Sequence, residues 1–181
     1  QLQRARGYFG QMKATEKAEL INTLIAGLPG TDEGYDLAAL RRKIALYQDI
    51  KPQEYRQNLI DFLSAITPTA AEAGVFLAIH PDDPPFPILG LPRIVSTAED
   101  AAAILAGVDH PNNGLCFCTG SYGARADNDL PAMIEQFGQR IHFFHLRNVR
   151  KEQDGSFYED DHLAGSTNMY EVMKKIVRLQ Q

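Results

Sequence analysis

The apolar positions of this chain change period once. Up to about residue 74 they recur at helical spacing; beyond it, short apolar runs alternate with helical stretches. Ile21, Leu24, Ile25 and Leu28 form one stripe. Its helix can be capped by Thr15, with Glu16 in the first turn and Gly27-Leu28-Pro29-Gly30 as the stop. Leu37, Leu40, Ile44 and Tyr47 form a second stripe, on a helix capped by Asp36. Tyr55, Leu59, Phe62, Leu63 and Ile66 form a third, starting near Pro52. Pro68 is expected to kink or interrupt that helix, and Gly74 to terminate the Ala-rich stretch that follows.

From Val75 the pattern reads strand, helix, strand, helix, strand, helix. The strand-length runs are Val75-Phe76-Leu77-Ala78-Ile79-His80, Gly114-Leu115-Cys116-Phe117-Cys118 and Ile141-His142-Phe143-Phe144-His145. Between them, Ser96 and Glu99 form a capping box for a helix reaching about Ala106. Thr119 to Gly123 reads as a loop, and Pro131 suits the first turn of a helix from about Asp129 to Phe137. A long polar loop is expected from Asn148 to Gly165, and a last helix from about Thr167 carries Met169, Val172, Met173 and Ile176. This order predicts an α/β fold with a parallel sheet under helices. Right-handed crossovers then bring all strand C-termini to one face, where α/β proteins carry their sites.

That placement gives the chain its candidate chemistry, because the three runs end in His80, Cys118 and His145. Each residue alone has a plainer reading, as a structural histidine or a buried free cysteine. Together, two imidazoles and a thiolate at equivalent strand ends suit a transition metal. Cys116 shares a face with Cys118 and is a rival ligand set deeper on its strand. His142 competes with His145 but, three residues away on a regular strand, faces the opposite side. Polar residues follow the same strand ends: Asp82, Asp83, Arg93, Ser121, Tyr122, Arg125, Asp127, Asn128, Arg147 and His162. Most read as solvated loop groups or helix caps. Arg147, two residues past His145, is the best candidate for binding a carboxylate, which a guanidinium can grip with two hydrogen bonds.

Composition narrows the function classes. The 181 residues are 44% hydrophobic and 23% charged, with a net charge of −5 and no basic stripe, so neither nucleic acid nor a membrane is an expected partner. The polar start lacks the apolar segment of a signal peptide. Cys116 and Cys118, two apart on a strand, stand roughly 6.5–7 Å apart with near-parallel side chains, a poor disulfide geometry. A reducing, cytoplasmic setting is expected. The chain starts without Met and stops within a helical pattern, so a piece of a longer chain is expected. Dinucleotide, P-loop and nucleophile-elbow motifs do not occur.

His80-Pro81-Asp82-Asp83-Pro84-Pro85, Ile88-Leu89-Gly90-Leu91-Pro92-Arg93-Ile94-Val95-Ser96-Thr97 and Cys118-Thr119-Gly120-Ser121 resemble mannonate dehydratase. So do Arg125-Ala126-Asp127-Asn128-Asp129, Phe144-His145-Leu146-Arg147, Asp161-His162-Leu163 and Ala26-Gly27-Leu28-Pro29-Gly30. The resemblance runs from about Ile25 to Ile176. It implies part of a (β/α)₈ TIM barrel, with a helical segment over residues 1–74 and β/α units over 75–181, all one domain. It implies a lyase that dehydrates D-mannonate to 2-keto-3-deoxy-D-gluconate in hexuronate catabolism, with Mn²⁺ or Fe²⁺. His80, Cys118 and His145 match the family's two histidines and cysteine; its aspartate ligand, in a Pro-Asp-His-Gly segment, has no counterpart in these residues. Arg147, Arg125 and His162 are the expected substrate contacts, the general acid and base have no assignment, and residues 1–181 alone are expected to lack activity. The expected partner is a small sugar acid, with homo-oligomer formation left open. A metal-dependent sugar isomerase or epimerase on the same barrel, and a non-enzymatic zinc-site protein, remain alternatives.

Overall fold

The computed structural model describes residues 2–26 and 36–181. They fall into two compact units, Gln1–Asp49 and Ile50–Gln181. The first is helical: α1 (Leu2–Gln11), α2 (Ala14–Ala26) and α3 (Leu37–Ala45). The sequence pattern did not foresee α1. Thr15 lies inside α2 rather than capping it; instead the Glu16 carboxylate accepts the Lys13 N–H at 2.7 Å. Asp36 caps α3 as expected, accepting the Ala39 N–H at 2.6 Å, although the helix ends at Ala45, short of Tyr47. The expected stop at Gly27–Gly30 lies outside the described residues.

The second unit opens with α4 (Pro52–Glu72), which runs through Pro68 without interruption. A proline removes one N–H and crowds the preceding turn. Here Leu63 and Thr67, one turn apart, are buried on the helix face that packs, and that burial outweighs a single lost hydrogen bond. The helix closes on Gly74 at φ +66°, with Val75 N–H bonded to Ala70 O at 2.8 Å and Gly74 N–H to Ala71 O at 3.0 Å. This is a Schellman closure, which requires the left-handed residue that glycine supplies.

Three parallel strands follow in the order β1 (Leu77–Ile79), β2 (Asn113–Cys118), β3 (Ile141–His145). β1 is shorter than its apolar run, because Val75 still belongs to the closure of α4. α5 (Ala98–Gly107) is capped by Thr97 and Asp100, not by Ser96 and Glu99. The box slips by one residue because Ser96 is engaged elsewhere, its hydroxyl donating to Asp82 Oδ2 at 3.1 Å. Thr119–Gly123 is a short helix, α6, rather than a loop. α7 (Leu130–Phe137) begins at Asp129, whose side chain accepts the Ala132 N–H at 3.1 Å. The expected long loop after Asn148 is a hairpin, β4 (Asn148–Lys151) and β5 (Phe157–Asp160). α8 (Met169–Leu179) starts two residues after the expected Thr167 and is capped by Asn168.

Alternation along β2 divides the unit. Leu115 and Phe117 enter a core with α5, α6, α7 and α8. α4 adds a second core, where Leu63 meets Val95 and Ile104. Gly114, Cys116 and Cys118 point to the other face of the sheet. On that face Ala78, His80, Phe143 and His145 are exposed. Helices thus cover one face of a parallel sheet, as in a segment of a β/α barrel. No described helix is long and apolar enough to cross a membrane.

Candidate metal centre

His80 directly follows β1, while Cys118 and His145 end β2 and β3. Cys118 and His145 are paired residues in the parallel ladder. One donor atom from each of the three residues lies within 4.8 Å of the other two. His80 Nε2 stands 3.2 Å from His145 Nδ1. The opposite nitrogen, His80 Nδ1, lies 2.8 Å from the Pro81 carbonyl oxygen. A proton on Nδ1 leaves the Nε2 lone pair facing the cluster, the usual arrangement of a ligating imidazole.

The thiol is fully buried and doubly hydrogen-bonded. Cys118 Sγ accepts the Ser121 N–H at 3.4 Å and the Ser121 hydroxyl at 3.3 Å. Both contacts fix the position of the sulfur. They exist because α6 starts at Cys118, so the sulfur takes the place of an N-cap oxygen. A helix there was missed in the sequence because Thr119–Gly123 has the composition of a turn. Cys116 does not join the cluster. Burial, then the neighbouring Cys118, pushes its thiol up, which favours the protonated form. Two imidazoles and a thiolate within bonding reach of a common point fit a divalent transition metal.

Arg147 lies beside this cluster. Its guanidinium pairs with Asp83, in the loop after His80, and Glu159 stands 4.0 Å from Nε. Burial pulls the Arg147 pKa down, but the hydrogen bond and charge of Asp83, with Cys118 and Glu159, more than offset it, so the net shift is upward. Nε is buried without a hydrogen-bond partner. The Arg147 backbone is tied to buried Thr119, whose hydroxyl accepts the Arg147 N–H at 2.9 Å and donates to the Arg147 carbonyl at 2.6 Å.

The other candidates are more committed. Arg125 grips Asp127 through Nε at 2.8 Å and Nη2 at 2.5 Å, donates to Pro85 O at 3.1 Å, and lies over the Phe86 ring. It borders a separate cleft of about 560 Å³, with Phe86 and Lys151. His162 is exposed, with Nε2 3.0 Å from the carbonyl of Leu146, the residue between His145 and Arg147. Asp82 Oδ2 is occupied by the N–H groups of Ile94 and Val95 at 2.9 and 2.8 Å, a structural role. Asn128 donates to Ser96 O and Tyr122 O rather than capping α7. Tyr122 lies wholly in the core, its phenol pushed up by burial and by Asp100 and Asp82.

His142 does not face away from His145. Leu115 pairs with Ile141 but Cys116 pairs with Phe143, so β3 carries one extra residue at His142. A Cβ built on Gly114 would reach within 2.6 Å of His142 Nδ1. The His142 ring therefore lies on the Gly114–Cys116–Cys118 face, which is also the face of His145.

The D-mannonate dehydratase (UxuA) family model matches residues 8–180. Mannonate dehydratase of Saccharophagus degradans is 51% identical over 168 residues, covering 93% of this chain and 42% of its own. Mannonate dehydratase 2 of Agrobacterium fabrum is 49% identical over 175 residues, covering 97% and 44% respectively. The chain thus spans less than half the length of these curated relatives. The crystal structure of mannonate dehydratase from Streptococcus suis serotype 2 superimposes with a TM-score of 0.74 at 39% identity, over 84% of this chain and 46% of that one. The IolI protein, crystallised with a zinc atom, shares the fold at a TM-score of 0.54 and 20% identity, over 72% of this chain and 46% of its own.

Proposed function

Since this chain belongs to the D-mannonate dehydratase (UxuA) family, we propose that it carries the metal-binding strands of a hydro-lyase converting D-mannonate to 2-keto-3-deoxy-D-gluconate in hexuronate catabolism. The observation that carries this reading is the convergence of His80, Cys118 and His145. These three residues would hold a divalent cation, Mn²⁺ or Fe²⁺. A thiolate donor favours Fe²⁺ on intrinsic affinity, and metal availability decides between the two. When bound, such a cation supplies Lewis acidity that favours negative charge on nearby substrate oxygens.

The chain's own residues do the rest. Asp83 orients Arg147, and the guanidinium edge left over receives the substrate carboxylate. Elimination removes the weakly acidic proton beside that carboxylate and expels a hydroxyl from the next carbon, so a base and an acid must flank the two carbons. Arg147 favours the proton loss by holding positive charge against the carboxylate as negative charge builds there. Arg125 and His162 are the weaker proposed contacts: Arg125 through the face not held by Asp127, His162 through Nδ1. A thiolate ligand calls for a reducing compartment, so we place the protein in the cytoplasm.

Cobalt(II) tests the centre, because thiolate ligation gives it an intense near-ultraviolet charge-transfer band. The band is expected with the native chain and with Cys116→Ser, and lost with Cys118→Ser. A band that survives Cys118→Ser and disappears with Cys116→Ser refutes the assignment. The reaction itself is tested with D-mannonate on a protein of the relatives' length carrying these residues. A 2-keto-3-deoxy acid supports the dehydratase, whereas an isomeric sugar acid with no loss of water points to an isomerase or epimerase.

A further inference from the structure

The β3 bulge decides which side chain meets Cys118. Without the extra residue, the ladder that starts at Leu115–Ile141 would place Phe144 opposite Cys118. A one-residue slip turns every following side chain to the other face of a strand. Phe144 would then take the cluster position, and His145 would turn toward the helices. With the bulge, Ile141 and Phe144 both pack on the helix-covered core although they are three residues apart, and His145 joins His80 and Cys118. Bulges are uncommon between parallel strands, so this one needs something to hold it.

His142 has the contacts to do so. Its Nδ1 lies 2.7 Å from the Leu77 carbonyl oxygen, so the ring reaches from β3 across β2 to β1. It can cross because residue 114 is glycine; a Cβ there would overlap the Arg140 carbonyl and the His142 ring. The Phe76 ring meets the imidazole edge-on, with centroids 5.0 Å apart. A carbonyl oxygen only accepts, so Nδ1 carries the proton.

We propose that His142 is a positioning residue: its Nδ1–H···O=C bond to Leu77 holds the bulge that aligns His145 with Cys118. The proposal rests on the metal reading above, and its test separates the two. Cobalt(II) is titrated into the native chain and into His142→Leu, His142→Asn and His142→Gln. The charge-transfer band and the dissociation constant are read, with far-ultraviolet circular dichroism as the folding control. Loss of an interaction that orients a metal ligand typically weakens metal binding about 10–100-fold. His142→Leu is expected to lose at least about tenfold. Asparagine can place its amide near the Nδ1 position and should restore binding to within about threefold of native, well inside that loss. Glutamine, whose amide lies near the Nε2 position, should not.

If the native chain gives no band, the metal reading fails. A native band with folded His142→Leu at native affinity overturns the positioning role alone. Should His142→Leu not fold, the amide pair decides: better binding by the asparagine variant supports the bond to Leu77, and equal binding by both overturns it.

Discussion

Replacing Thr119 by valine should cost more stability than its single hydroxyl suggests. Thr119 is fully buried, and its oxygen ties the start of α6 to the backbone of Arg147. Valine keeps the volume but deletes a hydrogen bond of 2.6 Å and another of 2.9 Å. It also leaves the Arg147 N–H and C=O without those partners. Each buried backbone group left unsatisfied costs about 1–3 kcal/mol. Arg147 is only half-buried and water can reach part of its backbone, so the expected total is about 2–4 kcal/mol. Thr119→Ser keeps the hydroxyl and removes one methyl group, for about 1 kcal/mol. Urea unfolding followed by far-ultraviolet circular dichroism measures both, with the slope checked for constancy. The reasoning is refuted if the valine variant is no less stable than the serine variant. Because Thr119 Oγ1 also lies 3.3 Å from the His145 carbonyl, the valine variant should weaken cobalt binding as well.

Thr97→Ala should destabilise the second unit by about 1 kcal/mol in the same unfolding assay, whereas Glu99→Ala should change it by less than about 0.5 kcal/mol, because the capping box uses Thr97 and Asp100. The Asp127 carboxyl is held below the ordinary carboxylate range, first by its hydrogen bond from Arg125 and then by the Arg125 charge. The stabilisation from that pair is therefore complete above the unfolded value of about 3.9 and is lost as pH falls through the lower folded value. Arg125→Met should return the Asp127 carboxyl to the ordinary range, read by carbon NMR titration; an unchanged midpoint contradicts the pairing. Residues 1–181 alone should bind cobalt yet show no turnover of D-mannonate, and measurable dehydration by them would refute that expectation.

The convergence of His80, Cys118 and His145 was legible in the chain because it depends on order along the sequence. Short apolar runs between helical stretches imply parallel strands, and parallel strands bring their last residues to one edge. His80, Cys118 and His145 meet for that reason. The Asp36 cap was legible outright, but the cap of α5 only to within a residue, because adjacent hydroxyl residues offer equivalent local bonds and Asp82 claims one of them.

Tertiary structure decided what depends on partners distant in sequence. Asn148 to Gly165 looked like a loop since its polar residues carry no apolar period; pairing with each other makes them a hairpin. Arg125 gives three of its five donors to Asp127 and Pro85, and Arg147 is oriented through Asp83, 64 residues away. Strand alternation placed His142 and His145 on opposite faces. The bulge reverses that, because the ring of His142 finds a carbonyl on β1 that no neighbour in sequence provides. Local periodicity determines which residues can reach the sheet edge. Register, set by long-range hydrogen bonds and by the room left at Gly114, determines which of them join the cluster.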